Sequence, residues 1–405
     1  MSSKKKIAIV GSGPAALMVA SELLNGLLPA QKKFEIHLFE KRAGLARKLL
    51  IAGSSGLNIT HELSPDEFAS QYEGWSPSFW ASLFKNYSPN DWISFLEREL
   101  KLETFLGTSK RYFVREMKAS LLVKRWITYL EERGVFIHAH SELVGFESED
   151  AKIKLNFLSA IELKTTFFIA DYAAFCLGGA SWEQIEPAWI SLFKNKGLHI
   201  DPITPSNVGY EVSWSKKFLA ESEGKPLKKI ELKTKRGSKL GELVITEYGL
   251  EGTPIYFCGV SGEAYLDLKP DLSEAQILKK LSSVKENLSP MRRVKHHLSL
   301  GAASESLLFH SATPEVKSDL HQLIQCLKKI PIQLKGPRPL AEAISSRGGL
   351  ALQELNEYFE LGAFPGIYCA GEMLSWDAPT GGFLIQACVS QGASLARNIL
   401  MQVSR

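Results

Sequence analysis

The sequence holds five cysteines (Cys176, Cys258, Cys326, Cys369, Cys388), far apart and with no Cys-x-x-Cys pair. That spacing excludes a zinc ribbon, a redox dithiol and a disulfide framework. No metal site is expected, and reduced thiols in a cytoplasmic protein are the default. Long apolar runs are missing too. Nothing approaches the roughly 18 apolar residues of a bilayer span, and the run 7–10 behind three lysines is too short for a signal-peptide core. The expectation is a cytoplasmic protein without a membrane partner. Charge of one sign is scarce, with a net +4 over 405 residues. The lysines gather only at 4–6 and along 225–239, which reads as solvated surface rather than a nucleic-acid face. What remains is ordinary globular composition, 45% hydrophobic and 23% charged, in a chain long enough for two or three domains.

The informative segment comes first. Residues 6–10 (Lys-Ile-Ala-Ile-Val) form a short β-branched run suited to a buried parallel strand. It leads into Gly11-Ser12-Gly13-Pro14-Ala15-Ala16, then an apolar helical pattern through Leu17, Ala20, Leu23 and Leu24 that closes at Asn25-Gly26. Gly11 permits the tight turn, Gly13 lets the backbone approach a pyrophosphate, and Ala16 allows close helix–strand packing. The helix start presents free N–H groups to phosphate. A second strand at 34–39 ends in Glu40, placed to accept hydrogen bonds from ribose hydroxyls. Strand, turn, helix, strand and acid make a dinucleotide site, leaving NAD and FAD both open.

Position in the chain favours FAD, because FAD-binding chains often begin with this unit and return to the flavin near their end. Here residues 366–370 read as a strand ending in Gly371-Glu372, where a carboxylate can meet a ribityl or ribose hydroxyl. Gly381-Gly382 then opens a helix through Phe383 and Leu384, whose amides suit the negative charge that reduction places on a flavin's pyrimidine edge. Residues 167–177 read as one apolar strand running into Gly178-Gly179, which with Leu177 would pass under the dinucleotide. No second Gly-x-Gly-x-x-Gly/Ala follows a strand, so a dedicated NAD(P) domain is not expected; either NAD(P)H docks directly over the isoalloxazine as a transient reductant, or another reductant does the work.

The segments Lys41-Arg42-Ala43-Gly44-Leu45-Ala46-Arg47-Lys48-Leu49-Leu50, Gly56-Leu57-Asn58-Ile59-Thr60-His61, Arg111-Tyr112-Phe113, Met117-Lys118-Ala119-Ser120, 241–252, 343–349 and 366–387 follow in order along the chain. Together they resemble the BaiN-like (YhiN-type) family of FAD-dependent oxidoreductases. The likeness is to its subgroup with Gly-Leu-Asn and Trp-(Asp/Glu)-Ala-Pro-Thr-Gly-Gly, the latter here Trp376 to Gly382. The resemblance implies cofactor contacts at Lys41, Arg47, Lys48, Leu49, Gly56, Asn58 and Thr60, and an adenine contact at Leu143. It also places Arg111, Lys118, Trp376 and Asp377 near the flavin as candidates for chemistry. Plainer readings stand beside these: an ion pair for Lys48, a turn for Asn58 and His61, core packing for Trp376 and a helix cap for Asp377. Where the wider family has Arg-Cys, this chain has Gly56-Leu57, so chemistry ascribed to that cysteine does not transfer.

The expected architecture is α/β: a Rossmann-type FAD-binding domain from 1–190 and 338–405, with an inserted β-barrel-like and helical module at 191–337. In the insert, 209–213, 242–246 and 253–260 read as strands and 273–329 as helical. The leading expectation is a reductase of an unsaturated or carbonyl-bearing small molecule. A flavin-dependent nucleic-acid modifier and a non-catalytic redox sensor are the competing classes.

Overall fold

The computed structural model describes residues 4–26, 34–53, 56–283 and 288–403. Five parallel strands form the central sheet: β1 (Lys5–Val10), β2 (Phe34–Phe39), β3 (Phe136–His138), β4 (Tyr172–Phe175) and β5 (Ile367–Cys369), in the order β5-β4-β1-β2-β3. β1 aligns Lys5 with Phe34 and Val10 with Phe39 on one side, and Ile7 with Tyr172 on the other. Ile7, Ala8 and Ile9 are wholly buried, as both-face coverage of a parallel sheet demands.

One of those covers is made by the helix α1 (Pro14–Gly26) and the long helix Phe383–Val403. Gly392 sets their approach, since a Cβ there would stand 2.5 Å from the Ala15 carbonyl oxygen. Two antiparallel three-stranded sheets complete this part of the chain. One comprises Ser141–Glu149, Lys152–Ser159 and Thr165–Ala170; the other comprises Asn58–His61, Thr104–Leu106 and Arg111–Val114.

The segment expected as one strand at 167–177 is two. Thr165–Ala170 belongs to the antiparallel sheet, and the chain turns at Asp171 before entering β4. The Asp171 carboxylate accepts the Lys6 N–H at 2.8 Å and the Lys152 ammonium at 2.7 Å. A charged residue so engaged divides an otherwise continuous apolar run.

The chain forms two compact units, 1–204 with 346–405, and 205–345. The sequence pattern places these cuts at 190/191 and 337/338 instead. The strands Ile200–Ser206 and Ser345–Leu350 pair with each other and carry the chain across. The second unit has a six-stranded antiparallel half-barrel sheet, including the hairpin Pro226–Thr234/Gly237–Ile245, beside five helices between Glu274 and Lys328. Its core is its own, built on Leu227, Ile230, Leu243, Leu266, Ile277 and Leu323. The run 253–260, expected as a strand, is instead the helix Thr253–Cys258. Gly252 (φ 121°) turns the chain, Pro254 presets the first helical turn, and Ile255 and Cys258 bury the i, i+3 face.

Candidate functional site: a dinucleotide cleft

The cleft opens where β1 ends. Gly11 has φ 108°, and a Cβ on it would stand 2.1 Å from the Cys176 carbonyl oxygen, so only glycine fits. Its N–H donates to the Phe39 carbonyl at 2.8 Å, tying the turn to the end of β2. At Gly13 the same construction meets nothing within 4 Å. One glycine is required by the protein's own backbone; the other faces open space at the start of α1.

Ser12 couples this turn to the acid. Its hydroxyl donates to Glu40 Oε2 and accepts the Ala46 N–H at 2.9 Å. Glu40 Oε1 accepts the Arg42 N–H at 2.9 Å. Each carboxylate oxygen keeps acceptor capacity toward the cleft that Glu40 lines. Nothing in the glycine pattern marks Ser12 for this role. The available signal is a hydroxyl between the two glycines, within reach of the acid closing the next strand.

The opposite wall comes from distant segments. Leu177, Gly178 and Gly179 follow β4, Gly371 and Glu372 follow β5, and Lys41, Arg47, Lys48 and Leu49 follow Glu40. Gly178 (φ 75°) has the Lys48 ammonium as its nearest neighbour, 4.0 Å from the Cβ position. Lys48 donates from Nζ to the Gly179 carbonyl at 2.5 Å. Burial pulls its pKa below the ordinary lysine value, while Glu372 and Glu183 oppose the shift. Glu372 is pushed the other way: burial raises its carboxyl pKa, the Lys48 charge holds it down, and Asp377 adds to the rise. Glu183 takes the Arg42 guanidinium on both oxygens, at 3.1 and 3.2 Å. Cys176, Glu183 and Cys388 also line the cleft. They arrive by long-range packing, which no local motif announces.

A second group of expected residues gathers at the start of the helix Phe383–Val403. Asn58 and Thr60 lie on the strand Asn58–His61, which pairs with Arg111–Val114. Gly381 and Gly382 both have positive φ, 110° and 101°. Side chains there would strike Arg111 and the Thr60 backbone. Three buried polar atoms at this place, Asn58 Oδ1, Thr60 Oγ1 and Arg111 Nε, have no hydrogen-bond partner. Tyr72 donates its hydroxyl to the Phe383 carbonyl at 2.9 Å.

The other candidates are placed as follows. Ala16 is buried in α1. Gly56 (φ 118°) lies under Met117, and Lys118 is exposed at the entrance of the helix Ala119–Glu132. Leu143 is buried two residues beyond Ser141, whose N–H donates to the Glu40 carbonyl at 2.8 Å. Trp376 is 4% exposed, packs on Trp80 with ring centroids 5.6 Å apart, and donates its indole N–H to the Gly371 carbonyl at 2.9 Å. Asp377 is buried, accepts Arg347 at 2.6 and 3.0 Å, and holds the Ala378 N–H at 2.9 Å.

These features suit a dinucleotide with a polar ring system. There is room at Gly13, an acid beside the turn, cationic side chains at the rim, and buried polar atoms without protein partners. The sheet order and the cleft define an α/β protein with the FAD-binding Rossmann-type fold.

The chain belongs to the HI0933-like family: residues 5–398 match the HI0933-like protein Rossmann domain. That family contains the BaiN/YhiN-type oxidoreductases, so membership places the chain among FAD-dependent oxidoreductases. Solved structures share the fold. The 3-ketosteroid delta1-dehydrogenase of Sterolibacterium denitrificans superposes at a TM-score of 0.55 with 10% identity, over 99% of this chain and 100% of that one. The 3-ketosteroid-delta4-(5alpha)-dehydrogenase of Rhodococcus jostii RHA1 gives 0.50 with 12% identity, over 100% and 97%. Mycobacterium smegmatis Sdh1 gives 0.51 with 11% identity, over 99% and 69%. At such identities the likeness is one of fold.

Proposed function

We propose that this protein is an FAD-dependent reductase of a small organic molecule carrying a conjugated double bond or a carbonyl. Its electrons would come from NAD(P)H acting as a transient reductant. The observation that carries the reading is convergence: the Gly11 turn, Glu40, Gly178-Gly179 and Gly371-Glu372 meet at one cleft from four separate parts of the chain. Bound there, FAD supplies hydride chemistry.

The chain's own residues bind and orient. Gly13 leaves space for pyrophosphate at the amide end of α1. Glu40, steadied by Ser12 and the Arg42 N–H, accepts from ribose hydroxyls. Lys48 contributes positive charge to the same cleft, and Glu372, its pKa raised chiefly by burial, suits a hydrogen bond with a sugar or ribityl hydroxyl. The single Gly-x-Gly-x-x-Ala turn supports a nicotinamide that docks and leaves rather than one held on its own domain.

The partner is a small molecule, not a nucleic acid or a membrane. In 225–239, Lys233 pairs with Glu231 at 3.0 Å and Lys239 lies over the Phe257 ring. No described helix is long and apolar enough to cross a membrane. The five free cysteines suit the cytoplasm.

The test is direct. Purified protein should be yellow and release FAD rather than FMN on denaturation. Anaerobic mixing with NADH or NADPH should bleach the flavin; no bleaching with either removes the nicotinamide part of the proposal. Steeply salt-dependent RNA binding would favour the nucleic-acid class instead.

A further inference from the structure

One strand edge lacks the devices that keep β-sheets from pairing with one another. In the sheet of Ser141–Glu149, Lys152–Ser159 and Thr165–Ala170, the last strand is terminal. Among the described residues it pairs with Lys152–Ser159 alone, in an unbroken register from Ala170 opposite Ile153 to Thr165 opposite Leu158. Its other side presents a row of backbone groups with no strand partner among those residues. Such edges are normally blunted by lysine, proline, a bulge or a covering element. The opposite edge strand, Ser141–Glu149, has a bulge between Leu143 and Gly145 and the exposed charges Glu147 and Glu149. Thr165-Thr166-Phe167-Phe168-Ile169-Ala170 has no charge, no proline and no bulge.

The side chains make the edge adhesive. Phe168 points inward, its ring 4.6 Å from His37 and 5.1 Å from Phe39. Phe167 and Ile169 therefore face outward, and Phe167 is 66% exposed. The turn that feeds the strand adds Ile161 and Leu163, the latter 81% exposed. Together these side chains open roughly 400 Å² of apolar surface, a size that on monomers is often functional. The charges around it are balanced. Lys154 pairs with Glu147 at 3.6 Å and Lys152 with Asp171 at 2.7 Å, and the turn holds one charge of each sign, Glu162 and Lys164. A second copy of the same strand would meet no unbalanced charge.

We propose that a second copy of this chain covers this edge, its strand Thr165–Ala170 pairing antiparallel with the first about a two-fold axis. The axis makes the contact self-complementary and closes it at two copies. Outward side chains must meet outward side chains, so Phe167 of one copy stands opposite Phe167 or Ile169 of the other. Aromatic and aromatic–β-branched pairs of this kind stabilise sheets. The three-stranded sheet then continues across the axis into the second copy. The apolar patch is about half of the ~800 Å² that each partner buries in a standard interface, which makes the dimer reversible, with a dissociation constant on the order of 10 μM.

The experiment compares the purified full chain with Phe167→Lys and Phe167→Glu, alone and mixed, by sedimentation velocity over a range of concentrations. The unsubstituted chain should pass from monomer to dimer as concentration rises. Either variant alone sets like charges across the axis and should weaken association about tenfold or more. The unfolding temperature at low concentration should not change, because Phe167 is mostly exposed. An equimolar mixture of the two variants should regain the dimer, since opposite charges then meet. A chain still monomeric at about twenty times the expected dissociation constant overturns the proposal. Equal dimerisation of the unsubstituted chain and each variant also overturns it, by placing the interface elsewhere, and so does growth beyond two copies. Hydrogen exchange of the unsubstituted chain decides the matter even if the variants fail to fold. Amides within 165–170 should exchange more slowly above the dissociation constant than below it, and exchange there that ignores concentration overturns the strand pairing.

Discussion

Two glycines, two residues apart, should respond to substitution in opposite ways. Gly11→Ala places a methyl group 2.1 Å from the Cys176 carbonyl oxygen at a φ of 108°. Forcing an L side chain into a left-handed conformation costs about 1–2 kcal/mol, and overpacking adds about 1–3 kcal/mol. Together these come to about 2–5 kcal/mol, a large share of a total stability of roughly 5–15 kcal/mol. The unfolding temperature should fall on the order of 5 °C. Gly13→Trp meets no protein atom at its Cβ, so its stability should change by only about 0.5 kcal/mol, while the indole occupies the space given to pyrophosphate. The assay is thermal unfolding of the flavin-free proteins, which removes the stabilisation that ligand binding adds, together with flavin absorbance per protein as purified. Gly13→Trp should be stable and colourless. Full flavin content in that variant, or an unchanged unfolding temperature in Gly11→Ala, would refute the reasoning.

Three further outcomes follow from the packing. His37 and His138 are joined at 3.0 Å, and burial lowers both pKa values, with His138 adding to the effect on His37. The unfolded chain therefore binds more protons below about pH 6.5, so stability should fall as pH drops from there toward the depressed folded values. His138→Gln should flatten that slope in unfolding temperature against pH, and an unaltered slope would remove the pair as its cause. Asp377→Asn weakens the hold on the partly exposed Arg347 and should cost about 1–3 kcal/mol in denaturant unfolding, below the 3–5 kcal/mol of a fully buried pair; an unchanged midpoint would count against the pairing. Trp376→Phe loses the bond to the Gly371 carbonyl and should cost about 1–3 kcal/mol without altering substrate preference, and altered preference at unchanged stability would return Trp376 to the substrate.

The parts of the cleft that were legible are those made by neighbours in sequence. The turn at Gly11 and Gly13, the helix after it and Glu40 closing β2 follow from strand and helix periodicity and from what glycine alone permits. Ser12 joins them by a hydroxyl that no periodicity marks. Residues 167–177 read as one strand because the partners that turn the chain at Asp171, Lys6 and Lys152, lie away from it in sequence and only folding brings them near. The run 253–260 failed for a local reason: β-branched and aromatic residues suggested a strand, while Pro254 after Gly252 set a helical turn. Cys176, Glu183 and Cys388 could not be placed in the cleft without knowing which strands are neighbours. Trp376 and Asp377 look reactive in sequence. In the structure Trp376 donates to the Gly371 carbonyl and Asp377 accepts the Arg347 guanidinium, partners that no local pattern shows.

The contact between Gly392 and Ala15 also bears on the order of events during synthesis. α1 and its turn emerge early, yet one cover of the sheet and part of the cleft wall come from β5, Gly371, Glu372 and the helix Phe383–Val403. A ribosome-bound chain arrested before Ile367 would present the glycine turn without the part of the opposing wall that Gly371 and Glu372 supply. Contacts of such long sequence separation form slowly, and the incomplete sheet would expose apolar surface meanwhile. Flavin supplied during translation should accordingly appear in the protein only after Gly392 has cleared the exit tunnel.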